Sequence, residues 1–269
     1  MLHQLSLLRR DGIEIADVSC RHRRGRGEVL EHGGVYAIVF VRRGCFVRSA
    51  NGSETTYDST RAYCVVPGQE QRYDHPDHDG DDCTALFLAS ELVESLSGGE
   101  RALPVSPLQT TPQADLEHRL LLAKAMKQMD DEHSLVERAL QLAAGTLERH
   151  DPRRVASGRP ATARARRGLV EAARERLAVD PDRSLPQLAG ELSISPHHLS
   201  TIFRQATGVT LARHRIRLRV RAALERLAGG DHDLSRLAAE LGFADQSHLT
   251  RCIRAETRST PAALRRALA

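Results

Sequence analysis

A segment near the C-terminal end of the chain occurs twice, almost in register. Leu185, Leu188, Ala189, Glu191 and Leu192 recur as Leu234, Leu237, Ala238, Glu240 and Leu241, an offset of 49 (234 − 185). His198, Leu199, Arg204, Thr207 and Thr210 recur as His248, Leu249, Arg254, Thr257 and Thr260, an offset of 50 (248 − 198). The second copy thus has one extra residue between its halves, where a turn belongs. Each copy reads as two short amphipathic helices joined by that turn.

The punctuation of the copies supports this. Ser184 predicts the N-cap of a helix over 185–192. Ser195 predicts the next cap, with Pro196 at the first helical position and Gly208 as the stop. Leu199, Ile202 and Phe203 form the inward stripe of that helix, which leaves His197, Ser200, Thr201 and Arg204 facing outward. In the second copy Asp233 caps a helix over 234–241, Gly242 ends it, and Asp245 caps a helix carrying Leu249, Cys252 and Ile253 inward. Gln246, Ser247, Thr250 and Arg251 remain outside. Small polar groups and arginine on an exposed helix face suit the base edges of a major groove. Every amphipathic helix has a polar face, so the duplication carries more weight than either copy alone.

Between the copies, residues 210–227 predict one long helix with Ile216, Val220, Ala223, Leu224 and Leu227 as its apolar stripe and Gly229-Gly230 as its end. A helix of ~18 residues spans ~27 Å, against ~34 Å between successive major-groove faces on one side of a duplex. With the width of each unit added, one stiff spacer could set two reading helices a DNA turn apart. Arg213, Arg215, Arg217, Arg219 and Arg221 wind around it and divide between phosphate contacts and solvent. A further amphipathic helix over 168–179 precedes the first copy.

Charge divides the same way. Residues 1–150 hold 17 Lys and Arg against 23 Asp and Glu (17 − 23 = −6), and residues 151–269 hold 22 against 12 (22 − 12 = +10). A basic half joined to an acidic half points to a polyanion partner for the basic half alone. At 269 residues and 41% hydrophobic content the chain suits two modest domains. No apolar run reaches the ~18 residues of a membrane span, and the first residues lack the apolar core of a signal peptide, so a cytoplasmic protein with no membrane partner is expected. The five cysteines form no CxxC pair and read as reduced thiols.

The first half reads as short strands between residues 13 and 89. The runs at 33–41, 44–48, 62–66 and 83–89 are β-branched and aromatic, Asn51-Gly52 predicts a hairpin, and Pro67-Gly68 a turn. Their spacing fits a small barrel or sandwich. Residues 113–150 then turn helical, with stripes through Leu116, Leu120, Ala123 and Met126 and through Val136, Leu140, Ala143 and Leu147. Those two helices either pack on the barrel or form a dimer interface. Residues 151–166, with two prolines and five arginines, read as a linker.

The C-terminal region resembles the DNA-binding domain of the AraC/XylS family of bacterial transcription regulators. The likeness rests on the paired units, the helix between them, the stretch from Gly242 through Phe243, Ala244, Asp245, Gln246, Ser247, His248, Leu249 and Thr250 to Arg251, and Pro261 with Arg265. It implies a seven-helix domain whose outer helices enter adjacent major grooves, preceded in many such regulators by a cupin-like barrel. The chain departs from the family's aromatic residues at Leu249, Ile253 and Leu264, and from its glycine at Arg258. A left-handed conformation at Arg258 would cost about 1 kcal/mol.

The expected architecture is therefore α+β in two domains. A cupin-like β-barrel with a helical extension over 1–150 would sense an effector or pair subunits, 151–166 would link, and 167–269 would form an all-α domain with two helix-turn-helix units. The expected function is sequence-specific regulation of transcription, with double-stranded DNA as partner, a small-molecule effector, a homodimer, and RNA polymerase should the protein activate. No cofactor is expected. The segment from His75 to Cys83 reads as an acidic surface turn or the rim of an effector pocket. Should a metal bind there, Cys20, His22, His75, His78 and Cys83 are the ligands to test, although the usual cupin ligand pattern is missing. Two other readings remain open: a metal-dependent cupin enzyme with a basic DNA-binding appendage, and a non-specific chromosome-binding protein. No nucleophile–base pair or phosphate loop favours an enzyme.

Overall fold

The computed structural model describes residues 2–21, 25–31, 34–76, 80–99, 102–150 and 160–268, with backbone alone for 25–31 and 160–162. The N-terminal part holds β1 (Leu2–Arg10), β2 (Ile13–Cys20), β3 (Gly25–Glu31), β4 (Tyr36–Arg43), β5 (Cys45–Ala50), β6 (Ser53–Asp58), β7 (Arg61–Val65), β8 (Glu70–His75), β9 (Asp81–Leu88) and the short β10 (Leu108–Gln109). They pair antiparallel into two sheets, ordered β1-β2-β9-β4-β7-β10 and β3-β8-β5-β6. The expected hairpin joins β5 to β6, with Asn51 and Gly52 at φ 51° and 69°. Asp11-Gly12 makes the same left-handed turn between β1 and β2, at φ 50° and 77°.

The larger sheet has two buried faces because its residues alternate with period two. Val39, Val41 and Ala85 meet Phe46 and Tyr57 of the second sheet inside the barrel. Ile38, Phe40 and Leu86 point the other way, against helices. Those helices are α1 (Ser90–Leu96), α2 (Pro112–Lys127) and α3 (Glu132–Glu148). Thr111 and Asp131 cap α2 and α3, accepting bonds from Ala114 N and Ser134 N. The stripe expected on α2 does not all face the barrel. Leu121, Leu122 and Ala125 are buried, Leu121 and Ala125 in the barrel core, whereas Leu116 and Leu120 join the core of the C-terminal half and Met126 is exposed.

The C-terminal half contains α4 (Pro160–Val179), α5 (Leu185–Glu191), α6 (Pro196–Thr207), α7 (Leu211–Ala228), α8 (Leu234–Glu240), α9 (Gln246–Thr257) and α10 (Pro261–Leu268). Helix α4 begins eight residues before the expected start (168 − 160), so part of the expected linker is helical. Proline suits that first turn because its missing N–H is needed there by no one. The remaining residues of the linker, 151–159, lie outside the described residues. No helix among the described residues is long and apolar enough to cross a membrane.

Candidate nucleic-acid interface

Both reading units follow one local plan. Ser184 accepts from Gln187 N at 3.3 Å while Gln187 Oε1 accepts from Ser184 N at 2.8 Å, a reciprocal cap on α5. Asp233 caps α8 through Arg236 N at 2.9 Å. Ser195 caps α6 through His198 N at 3.2 Å, and Asp245 caps α9 through His248 N at 2.7 Å. Residues 192–195 join the first pair of helices and residues 241–245 the second, so the added residue lies in the turn. The left-handed turn position is Ser193 in the first unit and Gly242 in the second, at φ 54° and 70°.

The inward stripes pack as expected, with Leu199, Ile202 and Phe203 buried under α6 and Leu249 and Ile253 under α9. Burying each such side chain stabilises the unit by about 1.5–3 kcal/mol. Cys252 is only half-buried, at the margin of that core. On the outward faces His197, Thr201, Arg204, Gln246, Ser247 and Arg251 are exposed, and Ser200 and Thr250 are half-buried. Thr201 Oγ1 donates to the carbonyl of His197 at 2.9 Å, and Ser235 Oγ donates to Gln246 Oε1 at 2.9 Å, which ties the first turn of α9 to α8.

The arginines of α7 all have partners within the chain. Arg213 and Arg217 pair with Glu256, a buried carboxylate of α9. Arg219 binds Asp182 and donates to the carbonyl of Gly242 at 2.7 Å, so it joins the second turn to the segment before α5. Arg215 donates to the carbonyl of Arg183. Arg221 is buried and pairs with Asp115 of α2 at 3.2 Å. All five hold elements of the chain together. The reason is geometric: a central helix touches neighbours on every side, so its long cationic side chains reach internal acceptors before solvent.

A second set of charges joins the two halves. Arg61, at the start of β7, forks onto Glu171 of α4 at 2.5 and 2.9 Å, and Thr56 N donates to the same carboxylate at 2.9 Å. Arg174, one turn further along α4, meets Asp58 at 3.3 Å and Thr60 Oγ1 at 2.5 Å. Burial alone would raise the Asp58 carboxyl, but Arg174, His214 and Arg61 outweigh it and hold it well below the ordinary range. Burial, with Arg174 beside it, pushes His214 down to about 3, so its 3.6 Å contact with Asp58 is made by a neutral ring. Beneath α2, Asp115 is held low in the same way by Arg119 and Arg221 against its burial. His118, stacked on Phe40, is pushed down by burial to about 4.

Of the candidate metal ligands, Cys20, His75 and Cys83 are buried at one end of the barrel, while His22 and His78 lie outside the described residues. Asp81, not among those candidates, joins them: His75 Nε2 stands 2.5 Å from Asp81 Oδ1, and Cys83 Sγ donates to Asp81 Oδ2 at 3.2 Å. Burial lowers the His75 imidazole, but its hydrogen bonds to Asp81 and Cys20 raise it further, to about 9. Asp81 and Asp82 are both buried at the start of β9, whereas residues 77–79, on which the reading as a surface turn or pocket rim falls, lie outside the described residues. Arg21 and Arg43 close over Asp82 at 2.6 and 2.7 Å, partners that nothing local in the sequence showed.

Two helix-turn-helix units of one plan, set on a common central helix beside a two-sheet β-barrel, give the C-terminal half the form of a DNA-binding domain. A protein-family model described as a helix-turn-helix domain matches residues 188–267. Among curated proteins nothing matches the chain. Among solved structures it is similar to ToxT of Vibrio cholerae strain SCE256 bound to an unsaturated fatty acid, at 11% identity and a TM-score of 0.38 over 96% of each chain. It is also similar to the cupin domain of Schizosaccharomyces pombe Cnp3, at 11% identity and a TM-score of 0.31 over 37% of this chain and 72% of that one. A cupin 2 conserved barrel domain protein from Salinispora arenicola is 13% identical, with a TM-score of 0.29 over 37% of this chain and 85% of that one.

Proposed function

We infer that the protein is a sequence-specific regulator that lays α6 and α9 in successive major grooves and answers to a small effector held by the barrel. In this reading residues 1–150 sense and 167–269 read. His197, Ser200, Thr201 and Arg204 face one groove, and Gln246, Ser247, Thr250 and Arg251 face the next. The observation that carries the reading is the repeat itself. Two independently capped helices with polar outward residues, one before and one after the 18-residue α7 in the chain, repeat the same plan. Backbone phosphates supply most of the affinity and base edges the choice of site.

The effector side rests on Arg48. The residue is 3% exposed, and its guanidinium donates to Gln71 Oε1 at 2.7 Å, Gln69 Oε1 at 2.8 Å and the carbonyl of Cys64 at 3.1 Å. The ring of Tyr63 lies 5.0 Å away. All these partners are neutral, no carboxylate among the described residues pairs with Arg48, and a buried cation without an anion is costly. An effector with an anionic group would supply the missing charge.

Footprinting of the full chain on a duplex selected from random sequence tests the reading. Two protected patches about 10 base pairs apart on one face are expected. Protection of one groove, or none above background, overturns it. In the same assay Arg251→Ala should weaken the selected site by about 1–3 kcal/mol and unrelated DNA by less. Equal losses on both remove Arg251 from the base-reading set.

A further inference from the structure

One end of the barrel carries a cluster that DNA reading does not use. Cys20 ends β2, Asp81 begins β9 directly opposite it, and His75 ends β8 in the other sheet. Cross-strand partners point to the same face of a sheet, so Cys20 and Asp81 meet, and His75 approaches from across the barrel. A sulfur of Cys20, a ring nitrogen of His75 and a carboxylate oxygen of Asp81 lie within 4.8 Å of one another, all three residues buried.

We propose that Cys20, His75 and Asp81 bind one zinc ion, which fastens the two sheets at this end of the barrel. Thiolate, imidazole and carboxylate together are the donor set that zinc takes, at bond lengths of ~2.0–2.3 Å. A tetrahedral ion with such bonds holds its ligands ~3.3–3.8 Å apart. The three donors therefore need only small side-chain shifts to close around it, and the described residues leave its fourth position unfilled. Cys83 has a different part. Its thiol donates to the second oxygen of Asp81, so it orients the carboxylate as an outer partner.

The backbone around the cluster is built to hold this approach. Gly80 precedes Asp81 at φ 66°, and a side chain there would overlap the carbonyl oxygen of Cys20. A side chain at Gly44 would overlap the carbonyl of Gly80 and crowd Asp81. Arg21 adds a clamp from outside, donating to the carbonyl of Asp81 at 3.1 Å and to the Asp82 carboxylate at 2.6 Å. Two glycines and an arginine thus fix where Cys20 and Asp81 stand relative to each other, whether or not an ion is bound. The site is independent of the DNA reading and of Arg48, and it uses none of the outward residues of α6 or α9.

The test uses the full chain, purified without a histidine tag, loaded with zinc chloride and then passed over a weak chelating resin. Elemental analysis should find about one zinc per chain in the wild type and in Cys252→Ser, whose sulfur lies far away in the sequence in α9. Cys20→Ser, His75→Gln and Asp81→Asn should each lose affinity by more than the ~10–100-fold that follows loss of an outer partner. Cobalt offered in place of zinc should give a near-ultraviolet thiolate-to-metal band and the visible bands of a tetrahedral ion. Cys20→Ser should abolish the first. Retention of zinc by the three variants, or its absence from the wild type, overturns the proposal. Should the variants fail to fold, the wild-type cobalt spectrum decides alone, and a spectrum without thiolate character rejects the site.

Discussion

At the scale of single residues, Arg258 shows what the second reading unit gives up. It stands where α9 ends, at φ 58°, and its N–H still closes the helix on the carbonyl of Arg254. The first unit meets the same requirement with Gly208 at φ 75°. A side chain in the left-handed region is strained by its own Cβ. Arg258→Gly should therefore raise the stability of the chain by about 1 kcal/mol, read as a shift of the urea midpoint with an unchanged slope. No shift, or a loss, would mean that Arg258 makes up the strain through contacts of its own. This departure was legible in the sequence because the two copies align at that position. So were the caps Ser184, Ser195, Asp233 and Asp245, whose bonds reach only three residues along the chain. Asp81 was not legible as a metal donor, because its partners Cys20 and His75 are brought to it by pairing and by the fold of the second sheet.

At the scale of elements, α7 acts as the hub of the C-terminal half, and its arginines are structural. Arg213→Gln leaves the buried Glu256 with Arg217 alone at 3.7 Å. The expected loss is about 1–3 kcal/mol of stability, the cost of an under-satisfied buried group. The salt dependence of DNA binding should stay as it is, whereas losing a phosphate contact lowers its slope by ~1. A thermal melt paired with binding at several salt concentrations separates the two. A lower slope with unchanged stability would return Arg213 to the phosphate-binding set. Periodicity located α7 correctly but was silent about where its arginines go. Glu256 lies 43 positions beyond Arg213 (256 − 213), and no local pattern links them. The β1–β2 hairpin shows a different limit: Asp11-Gly12 is a turn signal, but the strand before it mixes polar and apolar residues and ends in two arginines.

At the scale of the whole molecule, the two halves meet through buried charge, which ties their union to pH. His118 faces Asp115 of its own helix, Arg119, and Arg42 of β4. His214 faces Arg174 of α4, Asp58 and Arg61 of the barrel, and Arg221 of its own helix. Both rings are neutral in the folded chain, at about 4 and about 3 against an ordinary 6.5. As pH falls below 6.5 the unfolded chain takes up protons that the folded one refuses, so stability is lost until the folded values are passed. Roughly 2 kcal/mol should go for each ring between pH 6.5 and 5. Asp58 and Asp115, held low, add their losses only at still lower pH. Denaturation midpoints at pH 7 and 5 check this, and His118→Gln should flatten the curve. Equal midpoints for the wild type would show that the rings are charged in the fold.

Helix α2 lends Leu121 and Ala125 to the barrel and Leu116 and Leu120 to the core around α9. The N-terminal part thus supplies some of the interior of the second helix-turn-helix unit. A chimera that fused the C-terminal helices to a foreign N-terminal domain at the 151–159 join would lose the packing of α2 against α9 and α10. Engineers wishing to transplant specificity should carry this helix along with the cargo it wedges, and cut upstream of Thr111 instead.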